Sequence, residues 1–503
     1  MIPLSDTFPL LSLILLLPLL GAGLLWLFPN RREARWITLS TLLLDLLLSL
    51  QLIKGFDPTQ SGYQWVEQYP WIPDLNVHYQ LGVDGISLLF IPASLLLFVG
   101  VVVSSWTVIS HLPRLYYALI LLLATAILGI FMAVNTILFF LFWELTLLPI
   151  YFLIALWGIG PNRRAAANQY TMIMFAGGVP ILFGLLLSAF HYGSVSAQQG
   201  LLFDYSEMVT LSLPIELQGG IFFLLLIGFS FKTPLFPLHT WLPNLTMEGP
   251  ISIAIIMTGL KLGAYGLIRF ALPLAPEIAQ QHHWLLAGLG VVALLYGGVA
   301  AINQTNLRQM LGYASISHVG LVILGVSSFN LMGIEGAIFQ LINFTIISTA
   351  LFFLVGALHH RIGSTDITSL GGVATSMPLL ASFLFLFGFA SLGVPPTSGF
   401  AAEFLLLVSA LQSHTGAGLA ALFAMILGAA YLISIFRKGL FGNITNPIVA
   451  DSIDLLPREI RLISLLALLV LGLGLFPGLL LEMVEVSSHE WVTRLSTLST
   501  ATR

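Results

Sequence analysis

Fourteen long apolar runs fill most of this chain, at residues 8–28, 34–53, 85–107, 113–132, 135–157, 167–191, 218–240, 250–272, 284–303, 308–328, 333–358, 374–410, 415–437 and 461–485. A helix needs roughly 20 apolar residues to cross a bilayer. Inside hydrocarbon the backbone can bond only to itself, so such runs fold as helices. Charged residues are 8% of the chain, against about 25% in soluble domains. The sequence therefore reads as an all-α polytopic membrane protein with about 14 transmembrane helices. The first run ends at Arg31 and Arg32 without a clear cleavage site, and reads as a span rather than a signal peptide.

An even number of spans puts both termini on one side. Lys54, Arg269, Arg494 and Arg503 fall on that side, and Lys232 and Lys261 fall inside spans. The remaining 12 of the 18 basic residues lie on the other side. Basic loops stay cytoplasmic, so both termini are expected on the lumenal or periplasmic side. Residues 54–84, with Trp65, Trp71 and several prolines, are expected to form an ordered cap there.

Two proline-broken runs suggest an internal repeat. Pro234 and Pro237 follow Lys232 in the seventh run, and Pro395-Pro396 precede Glu403 in the twelfth. Proline removes a helix donor and clashes with the preceding turn. Each break holds the same place in a group of five spans, and an odd number of spans inverts the second group. The expected organisation is N-terminal helices and cap at 1–112, one five-helix repeat at 113–272, an inverted one at 284–437, and a linker, last helix and tail at 438–503.

Several chemistries are excluded. The chain has no cysteine, so disulfides, cysteine-ligated iron–sulfur clusters and cysteine zinc sites are absent. It lacks GxGxxG, GxxxxGK[ST] and HExxH. Net charge is −4 with no basic run, which gives no footprint for nucleic acid. No cofactor or metal is expected on this chain, and any redox centre must sit in others.

The ionisable residues inside spans are Asp45, Glu144, Lys232, Lys261, His318 and Glu403. A charge at the bilayer centre costs a few kcal/mol, so its presence points to function. Glu144 follows Asn135 by nine residues and Lys261 follows Pro250 by eleven, roughly 14 and 16 Å at 1.5 Å per residue. Glu144 and Lys232 are candidates for a switchable ion pair. Such a pair is worth about 4 kcal/mol at an effective dielectric near 20, comparable to the ~2.3 kcal/mol of one charge moved through 100 mV. The bland alternative is a static pair locking two helices. Lys261 has no local partner, a setting that suits a proton carrier; its alternative is bonding to carbonyls freed by a broken helix. His318 reads as a relay or a packed histidine, and Glu403 as a mirror of Lys232 or a fixed cap. His239 reads equally as a cap or an accessory path residue. Asp45 is given no role.

Five segments carry a resemblance: FFLFWELTLLPIYFLIALWG around Glu144, FKTPLFPLHTWLP around Lys232, GLKLGAYGLIRF around Lys261, NLRQMLGYASISHVG around His318 and GVPPTSGFAAEF around Glu403. Together they resemble the proton-pumping, antiporter-like membrane subunits of respiratory complex I, over nearly the whole chain. The resemblance implies a lateral proton path through Glu144, Lys232, Lys261, His318 and Glu403. It implies a subunit of an NAD(P)H or ferredoxin:quinone oxidoreductase, with quinone and iron–sulfur clusters in partner subunits, other membrane subunits of a complex I-like assembly around it, and proton movement driven by quinone reduction elsewhere. The alternative is a subunit of a multi-subunit cation/proton antiporter. Relatives of that type typically carry lysine where Glu403 stands. A cyanobacterial thylakoid membrane is the expected location, otherwise a bacterial inner membrane. Two departures stand out. After HTWLP the chain reads Asn244-Leu245-Thr246-Met247-Glu248-Gly249-Pro250 in place of an acidic residue, alanine and histidine. Phe344, beside Asn343, stands where a relay histidine is usual. Both would suit a specialised copy, similar to the variants tied to carbon dioxide uptake.

Overall fold

The computed structural model describes all residues except 1–7, 29, 196–199, 212, 445 and 501–503. The expected placement of both termini falls on residues outside that set. The helices used below are α1 (Leu10–Leu24), α2 (Arg31–Gly55), α3 (Phe90–Ser104), α4 (Pro113–Met132), α5 (Thr136–Trp157), α6 (Arg163–Val195), α7 (Ile215–Lys232), α8 (Trp241–Glu248), α9 (Ile251–Leu274), α10 (His283–Ile302), α11 (Leu307–Val326), α12 (Leu331–Ile362), α13 (Pro378–Ser391), α14 (Ser398–Ser413), α15 (Thr415–Leu440), α16 (Pro457–Leu475) and α17 (Gly478–Thr500). Among the described residues, 10 helices are long and apolar enough to cross a membrane, or up to 11 with the α16–α17 pair. Helices α1, α3, α13 and α14 are apolar but shorter.

The cap at 54–84 is ordered, but it is not helical. Strands β1 (Gln64–Ile72) and β2 (Val77–Val83) pair antiparallel, so the fold is mostly helical rather than all-α. The pattern was present: Val77, Tyr79, Leu81 and Val83 alternate with His78, Gln80 and Gly82, the period of a half-buried strand. Asn76 closes the turn in the left-handed region at φ 54°. The hairpin grips the helices below it. Glu67 accepts bonds from the Leu11 and Ser12 amides at 2.7 and 3.0 Å, which satisfies donors otherwise left free at the start of α1.

A second correction concerns the last run, 461–485. It breaks at Phe476-Pro477, and α17 turns away from α16 by 65°. Proline there lacks the donor that would continue the helix. Arg269, near the end of the run 250–272, is buried in α9 and donates from Nη1 to Asp84 Oδ2 at 2.6 Å and from Nη2 to Tyr63 Oη. Burial pushes Tyr63 well above its ordinary pKa, so it accepts as a neutral phenol. A wide helical turn at Leu267–Ala271 presents this arginine. The Ile268 carbonyl accepts from Trp491 Nε1 at 2.9 Å, which ties α17 to the same turn.

Helices α9 and α12 form the centre, and α2 and α15 the outside. The 32-residue α12 is framed by chemistry legible in the sequence. Asn330 caps its start by accepting from the Gly333 amide. Gly363 ends it at φ 79°, just after His359, His360 and Arg361, which suit the negative end of the helix dipole. Two short strand-like contacts recur in the two halves. Asn135, which caps α5, bridges Asp204; Asn306, which caps α11, bridges Asp366.

Gly263 lets α9 meet the end of α7. A Cβ there would lie 2.4 Å from the Thr233 amide nitrogen and 2.6 Å from the Phe229 carbonyl oxygen. Backbone cannot step aside, so Gly263→Ala should cost about 1–3 kcal/mol. Thermal unfolding in detergent checks this against Gly219→Ala, where nothing lies within 4 Å. Equal midpoints for the two variants would refute the close approach.

Candidate proton-transfer site

Four of the expected residues sit at helix interruptions. Helix α5 is interrupted at Thr146, one residue after Leu145, because Pro149 cannot donate to the Leu145 carbonyl. Glu144 lies just before this point. Helix α7 ends at Lys232, followed by Thr233, Pro234 and a cis Phe236-Pro237 bond. Helix α9 is broken at Leu260-Lys261 without any proline, a break that the sequence reading did not foresee. Glu403 lies in the second turn of α14, after the Leu392–Thr397 break.

The Glu144–Lys232 pair is not formed. Lys232 Nζ donates instead to Thr146 Oγ1 at 2.8 Å and lies 4.1 Å from the centre of the Trp143 ring. Thr146 passes its own proton to the Trp143 carbonyl at 2.7 Å, so its oxygen is free to accept. A cation held by a hydroxyl and a ring face needs no carboxylate. Glu144 Oε1 is buried without a hydrogen-bond partner among the described residues. It packs against Gly178 of α6, where a Cβ would fall on it.

Lys261 donates to Ser315 Oγ on α11. The carbonyls exposed near its break are taken by α12: Thr345 Oγ1 donates to Gly259 at 3.3 Å and Ser348 Oγ to Thr258 at 3.4 Å. Those hydroxyls leave the lysine to its serine. One turn along α11, His318 Nδ1 stands 3.6 Å from Glu403 Oε1. Gln340 Nε2 donates to the same oxygen at 3.3 Å, Asn343 Nδ2 donates to Gln340 Oε1 at 3.1 Å, and Ser398 Oγ donates to Asn343. Phe344 packs on the His318 ring with centroids 4.9 Å apart.

Two small cavities flank His318. One, of about 20 Å³, touches Ser315, Phe344 and Ser348; the other, of about 30 Å³, touches Ser317 and Glu403. Roughly 10–15 Å³ of such space holds one water. Lys261, Ser315, His318 and Glu403 thus form a series with water-sized space beside the imidazole. Lys232 joins it by packing, since Thr233 lies against Gly263, two residues from Lys261.

His239 is not brought into this series. Its ring lies against Tyr296 and Phe236, and its Nδ1 has no partner among the described residues. Asp45 is fully buried in α2 with both carboxyl oxygens unpartnered among the described residues. Among the described residues no cluster of three potential metal ligands occurs. The reading of the sequence missed Thr146, Ser315, Gln340 and Asn343, because an uncharged polar residue in a span carries no signal until its neighbour is known.

Residues 133–428 match the family model described as NADH:quinone oxidoreductase/Mrp antiporter, TM. The chain is 36% identical over 493 residues to the NAD(P)H-quinone oxidoreductase chain 4 1 of Synechococcus sp. (strain JA-2-3B'a(2-13)), covering 96% of this chain and 92% of the relative. It is 33% identical over 488 residues to NADH-quinone oxidoreductase subunit M of Rickettsia prowazekii (strain Madrid E), covering 95% and 98%. Among solved structures, a chain of respiratory complex I from Thermus thermophilus with bound NADH superposes with a TM-score of 0.87 at 29% identity, covering 97% of this chain and all of that one. A chain of the Mrp complex from Dietzia sp. DQ12-45-1b reaches 0.83 at 21% identity over 97% and 99%, a likeness of fold.

Thr146→Val and Ser315→Ala each strip a buried lysine of its hydroxyl acceptor. Each should cost about 1–3 kcal/mol, the penalty of leaving such a group unbonded. Thermal unfolding of the variants in detergent tests this, and unchanged midpoints in both would show that the hydroxyls do not hold the lysines.

Proposed function

Given that the chain belongs to the NADH:quinone oxidoreductase/Mrp antiporter transmembrane family, we propose that it moves protons through Glu144, Lys232, Lys261, His318 and Glu403. It does so as a membrane subunit of a complex I-type quinone oxidoreductase, beside other membrane subunits, with quinone and iron–sulfur clusters in those partners. The observation that carries this reading is the series Lys261–Ser315–His318–Glu403, with water-sized space beside the imidazole. His318, with water in the space beside it, takes the place of the usual second histidine, where Phe344 stands.

Chemically, each station can hold a proton or release it to the next. Lys232 and Lys261 each rest on a neutral hydroxyl, so neither is locked by a carboxylate. Glu403 receives a proton from His318 through the 30 Å³ cavity. Glu144, unpaired in the resting arrangement, is the carboxylate toward which Lys232 swings when the stretch after α7 moves. Forming that pair is worth about 4 kcal/mol at an effective dielectric near 20.

The finer architecture in this reading is fourteen crossings, with α1, α3 and the α13–α14 pair joining the eleven longer candidates. The organisation into 1–112, 113–272, 284–437 and 438–503 goes with it. The matching Asn135–Asp204 and Asn306–Asp366 bridges support an inverted five-helix repeat. Each asparagine precedes the second helix of its repeat, and Glu144 and Ser315 follow these asparagines by the same nine residues. The Synechococcus relative supports a cyanobacterial thylakoid membrane.

Lys232→Ala in the assembled complex should lower proton translocation about tenfold or more in reconstituted vesicles, or ~1.4 kcal/mol on the transfer barrier. Full pumping with intact assembly would sink the conducting role. Sodium-dependent transport in the same vesicles would instead favour a cation/proton antiporter.

A further inference from the structure

A cavity of about 130 Å³ opens on the side of the molecule that carries most of the basic residues, between the ends of α3, α4, α9 and α12 and the start of α16. Two polar atoms of its lining residues have no hydrogen-bond partner among the described residues, His359 Nδ1 and Arg458 Nε, while the Tyr116 hydroxyl faces those of Ser252 and Ser105. Tyr116 is 0% exposed and Ser252 2%. Buried polar groups are nearly always satisfied. Two unpartnered nitrogens beside one cavity, next to a cluster of hydroxyls, point to a ligand there.

The chemistry of the lining limits what that ligand can be. Both hydroxyls can donate, and the guanidinium can only donate. Glu459 is the sole carboxylate of the lining. It is already engaged, accepting from Arg361 Nη2 at 2.6 Å and from the Leu456 amide at 2.8 Å. With Glu459 spent on Arg361, Arg458 is left as the uncompensated charge of a donor-rich lining, which selects an oxyanion. At roughly 10–15 Å³ of such space per water it holds several waters, enough for a phosphate group. Further arginines brace the rim: Arg31 Nη2 donates to the Thr107 carbonyl at 2.6 Å and Arg35 Nη1 to the Trp106 carbonyl at 3.0 Å.

The rim also has an apolar exit. Trp157 and Ile159 line it, and Ile159 continues the outward-facing stripe of Leu148, Phe152 and Leu156 on α5. Such a stripe suits acyl chains, and basic pockets between helices on the cytoplasmic side suit anionic headgroups. We propose that this cavity holds the phosphate headgroup of an anionic membrane lipid, bound by Tyr116, Ser252, His359 and Arg458, with its chains along α5.

The test uses the assembled complex, wild type and Tyr116→Phe/Arg458→Gln, in phosphatidylcholine vesicles with added phosphatidylglycerol or added inorganic phosphate. Tyr116→Phe removes one oxygen and keeps the ring packed on Tyr117 and Trp157. Phosphatidylglycerol retained on purification is counted by native mass spectrometry, and its protection by thermal unfolding. The wild type should retain at least one more phosphatidylglycerol than the variant, and the variant's affinity should fall about tenfold or more. Equal retention and equal protection in both, the result for a cavity that holds water alone, would overturn the proposal. Protection by inorganic phosphate as strong as that by phosphatidylglycerol would overturn the lipid as its source.

Discussion

An ammonium or carboxylate in the middle of a bilayer must find a partner close by, and the architecture of this chain follows from that need. Regular helices offer none, because their backbone groups are spent on one another. The structure meets the need by interrupting helices where the charges lie. Glu144 precedes the interruption at Thr146, Lys232 ends α7, Lys261 stands in the break of α9, and Glu403 follows the break between α13 and α14. Charge and break are one feature. The break makes room: hydroxyls from neighbouring helices take the two lysines and Gln340 takes Glu403, while Glu144 Oε1 has no partner among the described residues.

Hydroxyl partners explain how charged groups can be both held and mobile. A buried ion pair is strongly destabilised by losing one member, which makes it a poor transfer station. A lysine on a threonine or serine is held by one bond to a neutral group. Lys232 on Thr146 and Lys261 on Ser315 share that design. By contrast, Arg269 and Asp84 form a short, buried pair braced by Tyr63, at the point where the hairpin, α9 and α17 meet. The full ion pair fastens elements together, whereas each hydroxyl-bound lysine is free of a carboxylate, as the proposed path requires. The Asn135–Asp204 and Asn306–Asp366 bridges serve as fasteners too.

Much of this was legible in the sequence. Apolar run length is a strong signal, and it located the helical segments within a few residues. Lys232, Lys261 and Glu403 announced themselves as charges in lipid. What the sequence hid has physical causes. The hairpin at 64–83 was masked by Pro70 and Pro73, although Val77–Val83 alternates cleanly. The break at Lys261 has no proline, only flanking Gly259 and Gly263. The pairing of Glu144 with Lys232 rested on charge alone, and charge cannot reveal that Thr146 lies nearer. Phe344 suggested a gap in the path, whereas the structure sets His318 between two small cavities beside it.

The central claim is that protons cross the middle of this chain through His318. The most direct measurement is the number of protons translocated per electron by the assembled complex carrying His318→Asn, in sealed vesicles. Asparagine keeps a polar group of similar reach but cannot carry a proton at neutral pH. The account predicts a lower ratio with assembly intact. An unchanged ratio would contradict it and would send the protons elsewhere.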